Sequence, residues 1–276
     1  MKSAILSIII FLVATKIVKP QSVSTLMGAR AGGISYASSV LQDEWSLFNN
    51  PGGLAGIEKT NVAFSYDLQG RIAGANRMAA VFSIPVKTGV IGSGFFRFGD
   101  LLYSEQIVAA GYSNRFGIAS LGLKVNYIQY RAEGYGIKSA ATISFGGIAD
   151  LTPQLSIGVY AVNINQPRLS DNGERLPTHL AAGLGFKPTE KILLVTEIEK
   201  DLAYDPVWKG GLEYILYKKI AIRTGFNIHP HAAFFGLGFQ TRKLKIDYAM
   251  QYSTTLNFSY QASAVYRLSS QRQDEK

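Results

Sequence analysis

The sequence predicts an all-β fold: a transmembrane antiparallel β-barrel of about 14 strands, preceded by an N-terminal hatch segment. Three observations carry that prediction. The chain is poor in charge, most of it alternates between apolar and polar residues, and the links between alternating runs are short at one end and longer at the other. Of 276 residues, 47% are hydrophobic and 17% charged, below the quarter usual for soluble domains. Fifteen Tyr, 15 Phe and 28 Gly suit strands that face something other than water.

The first 22 residues read as a signal peptide: Lys2, then the apolar run from Ala4 to Thr15, too short to cross a bilayer but right for a signal core. Cleavage is expected near Pro20 to Ser22. The alternative is an interfacial helix that stays attached. Residues 23–59 form the hatch segment, 60–268 the barrel, and 269–276 a polar tail expected in the periplasm.

After Lys59 the alternation recurs. In "LKIDYAMQY", Leu244, Ile246, Tyr248, Met250 and Tyr252 share one face, and Lys245, Asp247, Ala249 and Gln251 the other. Period two over that length means an extended strand between two different environments. A helix would scatter these charges around its axis. Comparable runs cover 61–68, 76–86, 89–98, 103–113, 116–130, 136–149, 154–163, 177–186, 191–200, 207–217, 219–227, 233–241 and 256–268. With 244–252 they make about 14 strands of transmembrane length.

Every second connection is tight: "VKTG", "SNRF", "DLTP", "KPTE", "YKK" and "TRK". The intervening ones include the longer "QGRIAGA", "INQPRLSDNGERL" and "DLAYDP". Short turns on the periplasmic side and longer loops outside are the arrangement of outer-membrane barrels. A large soluble β-sandwich or lipocalin-like barrel would show the same alternation with its apolar face inward. The signal segment, the strand number and tyrosines near strand ends, among them Tyr112, Tyr127, Tyr130 and Tyr266, favour the membrane and an integral, multi-pass outer-membrane location.

With the apolar face on lipid, the polar face lines the lumen. It carries Lys124, Glu197, Glu199, Lys209, Glu213, Arg223, Lys245, Asp247 and Arg267. Both signs fall on neighbouring strands, so pairs such as Glu213 and Arg223 are expected to close the interior rather than build a one-sign ion path. Gly211, Gly225, Gly236 and Gly238 share this face, where missing side chains let another segment approach. The hatch is the expected visitor.

The hatch carries the most specific motif. Leu26 to Ile57 contains Gly28, Ala29 and Arg30, then Gly32 and Gly33, the acidic pair Asp43 and Glu44, and the turn Asn50, Pro51, Gly52, Gly53 and Leu54. This pattern resembles the N-terminal signature of the PorV/PorQ family of Bacteroidetes outer-membrane proteins, related in fold to the fatty-acid channel FadL. Gly52 stands where that family usually has Ala. Pro51 fixes its own φ and keeps Asn50 extended, and Pro-Gly suits a type II turn. The expected result is a compact hatch with Trp45, Phe48 and Leu54 as apolar anchors and Arg30 paired with Asp43 or Glu44. The plainer alternative is an ordered lead into the first strand with no gating role.

No chemistry of the enzymatic kind is indicated. Cysteine is absent, which excludes disulfides and thiolate metal sites. His229 and His231 lack a third metal ligand nearby, and no Ser, His and acid spacing marks a triad. The formal charge of +9 is spread singly, against the density that nucleic-acid binding needs. The chain therefore reads as a non-enzyme without cofactor, embedded in outer-membrane lipid. The resemblance implies an accessory or partner-binding role linked to type IX secretion, with Arg168, Asp171, Glu174 and Arg175 of the longest loop as the expected extracellular contact. The competing expectation is a FadL-like channel for hydrophobic small molecules, with Val195, Ile215 and Phe234 as apolar lumen residues.

Overall fold

The computed structural model describes residues 24–70, 72–168, 175–201 and 204–268. The expected signal peptide, residue 23 and the polar tail lie outside the described residues. Fourteen strands follow the hatch: β1 (Asn61–Gln69), β2 (Arg77–Val86), β3 (Gly89–Gly99), β4 (Tyr103–Phe116), β5 (Ala119–Ala132), β6 (Gly136–Asp150), β7 (Leu155–Val162), β8 (His179–Thr189), β9 (Ile192–Asp201), β10 (Val207–Tyr217), β11 (Ile220–Ile228), β12 (Ala232–Gln240), β13 (Leu244–Ser253) and β14 (Asn257–Arg267). Each pairs antiparallel with its sequence neighbour, and β1 closes on β14 from Asn61↔Arg267 to Gln69↔Ser259. Closure removes the sheet edges, so the backbone satisfies itself without water.

Period two sets which residues point where. On β1, Asn61, Ala63, Ser65 and Asp67 are buried, while Val62, Phe64, Tyr66 and Leu68 are exposed. The same division holds on β5, where Lys124 and Asn126 are buried and Leu121, Leu123, Val125 and Tyr127 exposed. An exterior so apolar around an interior so polar inverts the soluble barrel, and its natural solvent is lipid. Most strand-end tyrosines, including Tyr112, Tyr127, Tyr217, Tyr252 and Tyr266, stand on this exterior. Tyr130 does not. It shares the inward parity of Ile128 and packs against the interior apolar cluster, because only its position along the strand, not its parity, suited a girdle.

The lumen of a 14-stranded barrel is too wide for wall side chains to fill. Here residues 24–59 fill it. They form a short helix, α1 (Ala29–Gly33), and two 3-10 helices, Glu44–Leu47 and Pro51–Gly56. Met27, Trp45, Leu47, Phe48 and Leu54 pack with Ala79, Val81, Phe96, Ile107 and Ile128 of the wall, and each large side chain so buried contributes about 1.5–3 kcal/mol.

Asn50 is extended (φ −100°, ψ 109°), but Pro51 opens a 3-10 helix rather than a type II turn. A type II turn needs positive φ at the residue after proline, and Gly52 is not among the residues with positive φ. Instead the Asn50 side chain accepts from Gly52 N at 3.0 Å, and Gly53 N donates to Asn50 O at 2.9 Å. Helical continuation carries Leu54 into the apolar cluster, which a reversed turn would not.

A charge on the lipid face tests the orientation. Leu123→Arg, midway along the outer face of β5, should destabilise the barrel by roughly 2–4 kcal/mol in urea unfolding from lipid vesicles. An effect below about 0.5 kcal/mol, the scale of ordinary surface substitutions, would place that face in water.

Candidate functional site

An ionic network joins the hatch to one side of the wall. Glu213 on β10 and Arg223 on β11 are direct cross-strand partners, with Arg223 Nε donating to Glu213 at 2.5 Å and its other arm to Asp247 on β13 at 2.8 Å. Arg30 of α1 completes the set. It donates from Nε and Nη2 to the two Glu213 oxygens at 2.9 and 2.7 Å, and from Nη1 to Asp43 at 3.3 Å. This bidentate fork makes Glu213 the main partner of Arg30. Glu44 goes elsewhere, to Lys245 at 3.6 Å and Arg267 at 3.7 Å.

Capping explains why two adjacent acids diverge. Asp43 caps the first 3-10 helix, accepting from Trp45 N at 3.0 Å while its own N–H donates to Ser46 Oγ at 3.1 Å. Glu44 is then the first residue of that helix and swings to the opposite side. Burial pushes the Asp43 carboxyl above its usual range, against the pull of Lys245 and Arg30. At Glu44 burial acts the same way, but Lys245 and the residue's own backbone N–H more than offset it, and its pKa falls. Burial also opposes the Arg30 charge, yet Glu213 and Asp43 hold its pKa above that of free arginine.

The remaining lumen charges form a second group. Lys209 on β10 contacts Glu197 at 3.2 Å and also Glu199, both on β9. Glu197 in turn accepts from Ser39 N of the hatch at 2.7 Å. Lys124 joins neither group. Among the described residues no carboxylate pairs with it, and its ammonium lies 5.8 Å from the centre of the Phe48 ring, a cation–π contact. Val195 and Phe234 are buried against the hatch side, Phe234 edge-on to Tyr36 at 6.4 Å.

Small residues let the hatch touch the wall. A Cβ added to Gly211 would meet Ile34 O at 2.9 Å, and one on Gly225 would meet Ser35 N at 2.7 Å. Gly236 faces Gly33 in the same way at 2.9 Å, and Ala249 lies 3.2 Å from where a Gly32 Cβ would be. Gly238 is different, since Asp247 and Arg223 crowd it instead of the hatch. Elsewhere Gly28, at φ +98°, lies against Trp45, Ala29 N donates to Ser263 Oγ at 3.2 Å, and Gly53 packs on Leu41 and Ser46. Asn50 Nδ2 bonds Gly147 O at 3.1 Å, and Pro51 lies against Gly122 and Gly146. These motif residues are neighbours in the chain but meet different strands of the wall.

Among the described residues, a vestibule opens on either side of the hatch. One, of about 450 Å³, opens at the short-turn end and is lined by Arg30, Asp43, Glu44, Glu213, Arg223 and Lys245, with Ile215 beside them. The other, of about 390 Å³, opens at the long-loop end; most of its exposed lining is apolar, with Leu26, Tyr36, Ile72, Phe98, Phe234 and Leu256, and Arg77, Glu199 and Lys209 also border it. Both border the four strands β10–β13. Lys209, Asn227, Phe234 and Gln251 line the outer one, and Glu213, Arg223, Gly238 and Asp247 the inner one. Between each pair along the strand sits Gly211, Gly225, Gly236 or Ala249. The barrier on this side is thus residues 32–35 of the hatch against a girdle of small residues. Among the described residues, none of the longest loop lines either vestibule. Arg168 and Arg175 form a β-bridge at its neck, and Asp171 and Glu174 lie outside the described residues.

Two substitutions test the contacts. An added Cβ at Gly52 would stand 2.7 Å from Gly147 Cα and 2.9 Å from Gly146 O, so Gly52→Ala should lift the Pro51–Gly56 helix from the wall. Limited proteolysis should then cut within residues 50–59 while the folded barrel still migrates fast on unheated gels; protection equal to wild type would refute the contact. Arg30→Ala should cost roughly 1–3 kcal/mol, since Arg30 borders an open vestibule that screens the pair. Equal unfolding midpoints for the variant and wild type would show that the fork does not hold the hatch.

Neither the known family models nor the curated proteins include a match to this chain. Solved structures do resemble it. The Ralstonia pickettii toluene transporter TbuX superposes with a TM-score of 0.69 at 11% identity, covering 89% of this chain and 99% of its own. The Pseudomonas putida toluene transporter TodX gives 0.64 at 12% identity over 91% and 98%. A Pseudomonas aeruginosa FadL homologue gives 0.62 at 12% identity over 90% and 98%. At such low identity the likeness is one of architecture: this chain has the fold of the FadL-like outer-membrane channels.

Proposed function

We propose that the chain is an outer-membrane channel for hydrophobic small molecules, gated by its N-terminal hatch. The observation that carries this reading is the alignment of an apolar outer vestibule with a charged inner one on β10–β13, across the small-residue girdle. An apolar solute gains by leaving water for the outer vestibule. Its onward path requires residues 32–35 to withdraw from Gly211, Gly225 and Gly236. The fold shared with toluene transporters supports the same reading. The accessory role in type IX secretion rests on the motif resemblance, and no contact among the described residues favours it over the channel.

The cysteine-free chain allows a direct test. The Gly32 and Ala249 Cβ positions, 3.2 Å apart, are near the span of a disulfide, so Gly32→Cys with Ala249→Cys should lock the barrier. Outer-membrane-permeability assays with radiolabelled toluene should show faster uptake in cells making the wild-type barrel than in cells without it. The oxidised double variant should lose that gain and recover it on reduction. No gain with the wild type would remove the channel reading. A gain that survives oxidation would place the path away from β10–β13.

A further inference from the structure

The wall carries a second recess, on its outside. Strand register places Phe145, Ala161, Leu180 and Lys200 side by side in one outward row across β6 to β9. The row beneath it holds Val159, Ala182 and Ile198, and continues to the exposed Trp208 on β10. Where each row reaches an alanine the wall steps back. The result is a slanting apolar slot of about 350 Å³ near the long-loop rim.

From this geometry we infer that the slot binds one acyl chain of an anionic, phosphate-bearing lipid of the surrounding leaflet, with the lipid phosphate on Lys200. The slot lies within the apolar exterior, so its surroundings are hydrocarbon. Left empty there, its lining atoms would lack contacts on one side. A chain that fills it gains those contacts, whereas a protein partner needs a far broader face than this recess offers. Lys200 is the one charge among the described residues lining it. It is the next-to-last residue of β9, beside Leu180 near the start of β8, and its ammonium donates to Tyr204 O of the loop that follows, which holds it at the long-loop rim. The neighbouring Trp208 is of the type that marks headgroup depth. A phosphate is the complement of this arrangement: apolar below, a held cation above. The inference depends on the barrel spanning a membrane and not on what the lumen carries.

Native mass spectrometry of the full chain released from detergent micelles tests it, with dimyristoyl phosphatidylglycerol and dimyristoyl phosphatidylcholine as the two probes. The wild type should retain a single phosphatidylglycerol with a preference of about fivefold over phosphatidylcholine, the worth of one interfacial lysine. Lys200→Gln should remove the preference and keep the binding. Ala182→Phe, which fills the slot, should abolish retention of both lipids. Ala264→Phe, an equal change on the outer face of β14, should leave both as in the wild type, and its heat-modifiable migration should match that of Ala182→Phe. Retention unchanged by Ala182→Phe would overturn the site, and a preference unchanged by Lys200→Gln would overturn the phosphate contact. A dimer lost on Ala182→Phe, with no lipid retained by the wild type, would assign the slot to a second copy and overturn the proposal.

Discussion

The guanidinium of Arg30, forked onto Glu213, is the interaction on which the interior depends. A barrel that turns its polar face inward must find partners for every charge on it, because an unpaired ion shielded from water is costly. The wall supplies Glu213, Arg223, Lys245, Asp247 and Arg267. The hatch supplies Arg30, Asp43 and Glu44, and the signs interleave from β10 round to β14. Without the hatch, Glu213 would keep Arg223, but Lys245 and Arg267 would lose Glu44. Hatch and wall are therefore one electrostatic unit, even though they are separate stretches of chain.

Much of this was legible in the sequence, for reasons that can be named. Period two locates strands because one residue's parity decides its solvent, so the runs around Lys124 and Asp247 could be read directly. Parity also put Glu213 and Arg223 on one face, and short turns brought their strands together. Gly211, Gly225 and Gly236 signalled the close approach of another segment, whereas Gly238 makes room for the side chains of Asp247 and Arg223 instead. Parity is silent about which face meets water. That answer came from the exposure of Val62, Phe64 and Leu68, a property of the closed barrel and not of any strand.

Other features escaped because they depend on long-range contacts. Arg30 meets Glu213 across more than 180 residues of chain, whereas local sequence offered the nearer Asp43, which it also contacts, and Glu44, which it does not. The pair Pro51-Gly52 is compatible with a reversed turn or a 3-10 helix. The choice is made by Leu54, which must reach the apolar cluster, and by Gly146 and Gly147, which leave no room for a side chain at Gly52. That crowding also accounts for the departure from the Ala usual at this place in the resembling motif. Lys124 illustrates the opposite error of reading charges as pairs: it faces the lumen as expected, but its neighbour is the ring of Phe48.

The hatch is held unevenly, and the unevenness bears on how it could open. Against β2–β5 it presents Trp45, Leu47, Phe48 and Leu54 to apolar wall residues, a contact worth several kcal/mol in sum. Against β10–β13 it presents backbone, glycine and ion pairs, with only Ile34 on Gly211 and Tyr36 on Phe234 as large apolar contacts among the described residues. Such pairs are strong once formed, but exchanging them for water or counterions returns much of the desolvation they cost, so their net hold is weaker than their geometry suggests. On the proposed channel reading, the apolar half is the anchor and the polar half the side that parts from the wall. Both vestibules border that polar half, and the outer one also reaches Arg77 of β2 and Phe98 of β3. A solute moving between them would meet residues 32–35, held to Gly211, Gly225 and Gly236 by close approach, and would leave the anchored half undisturbed.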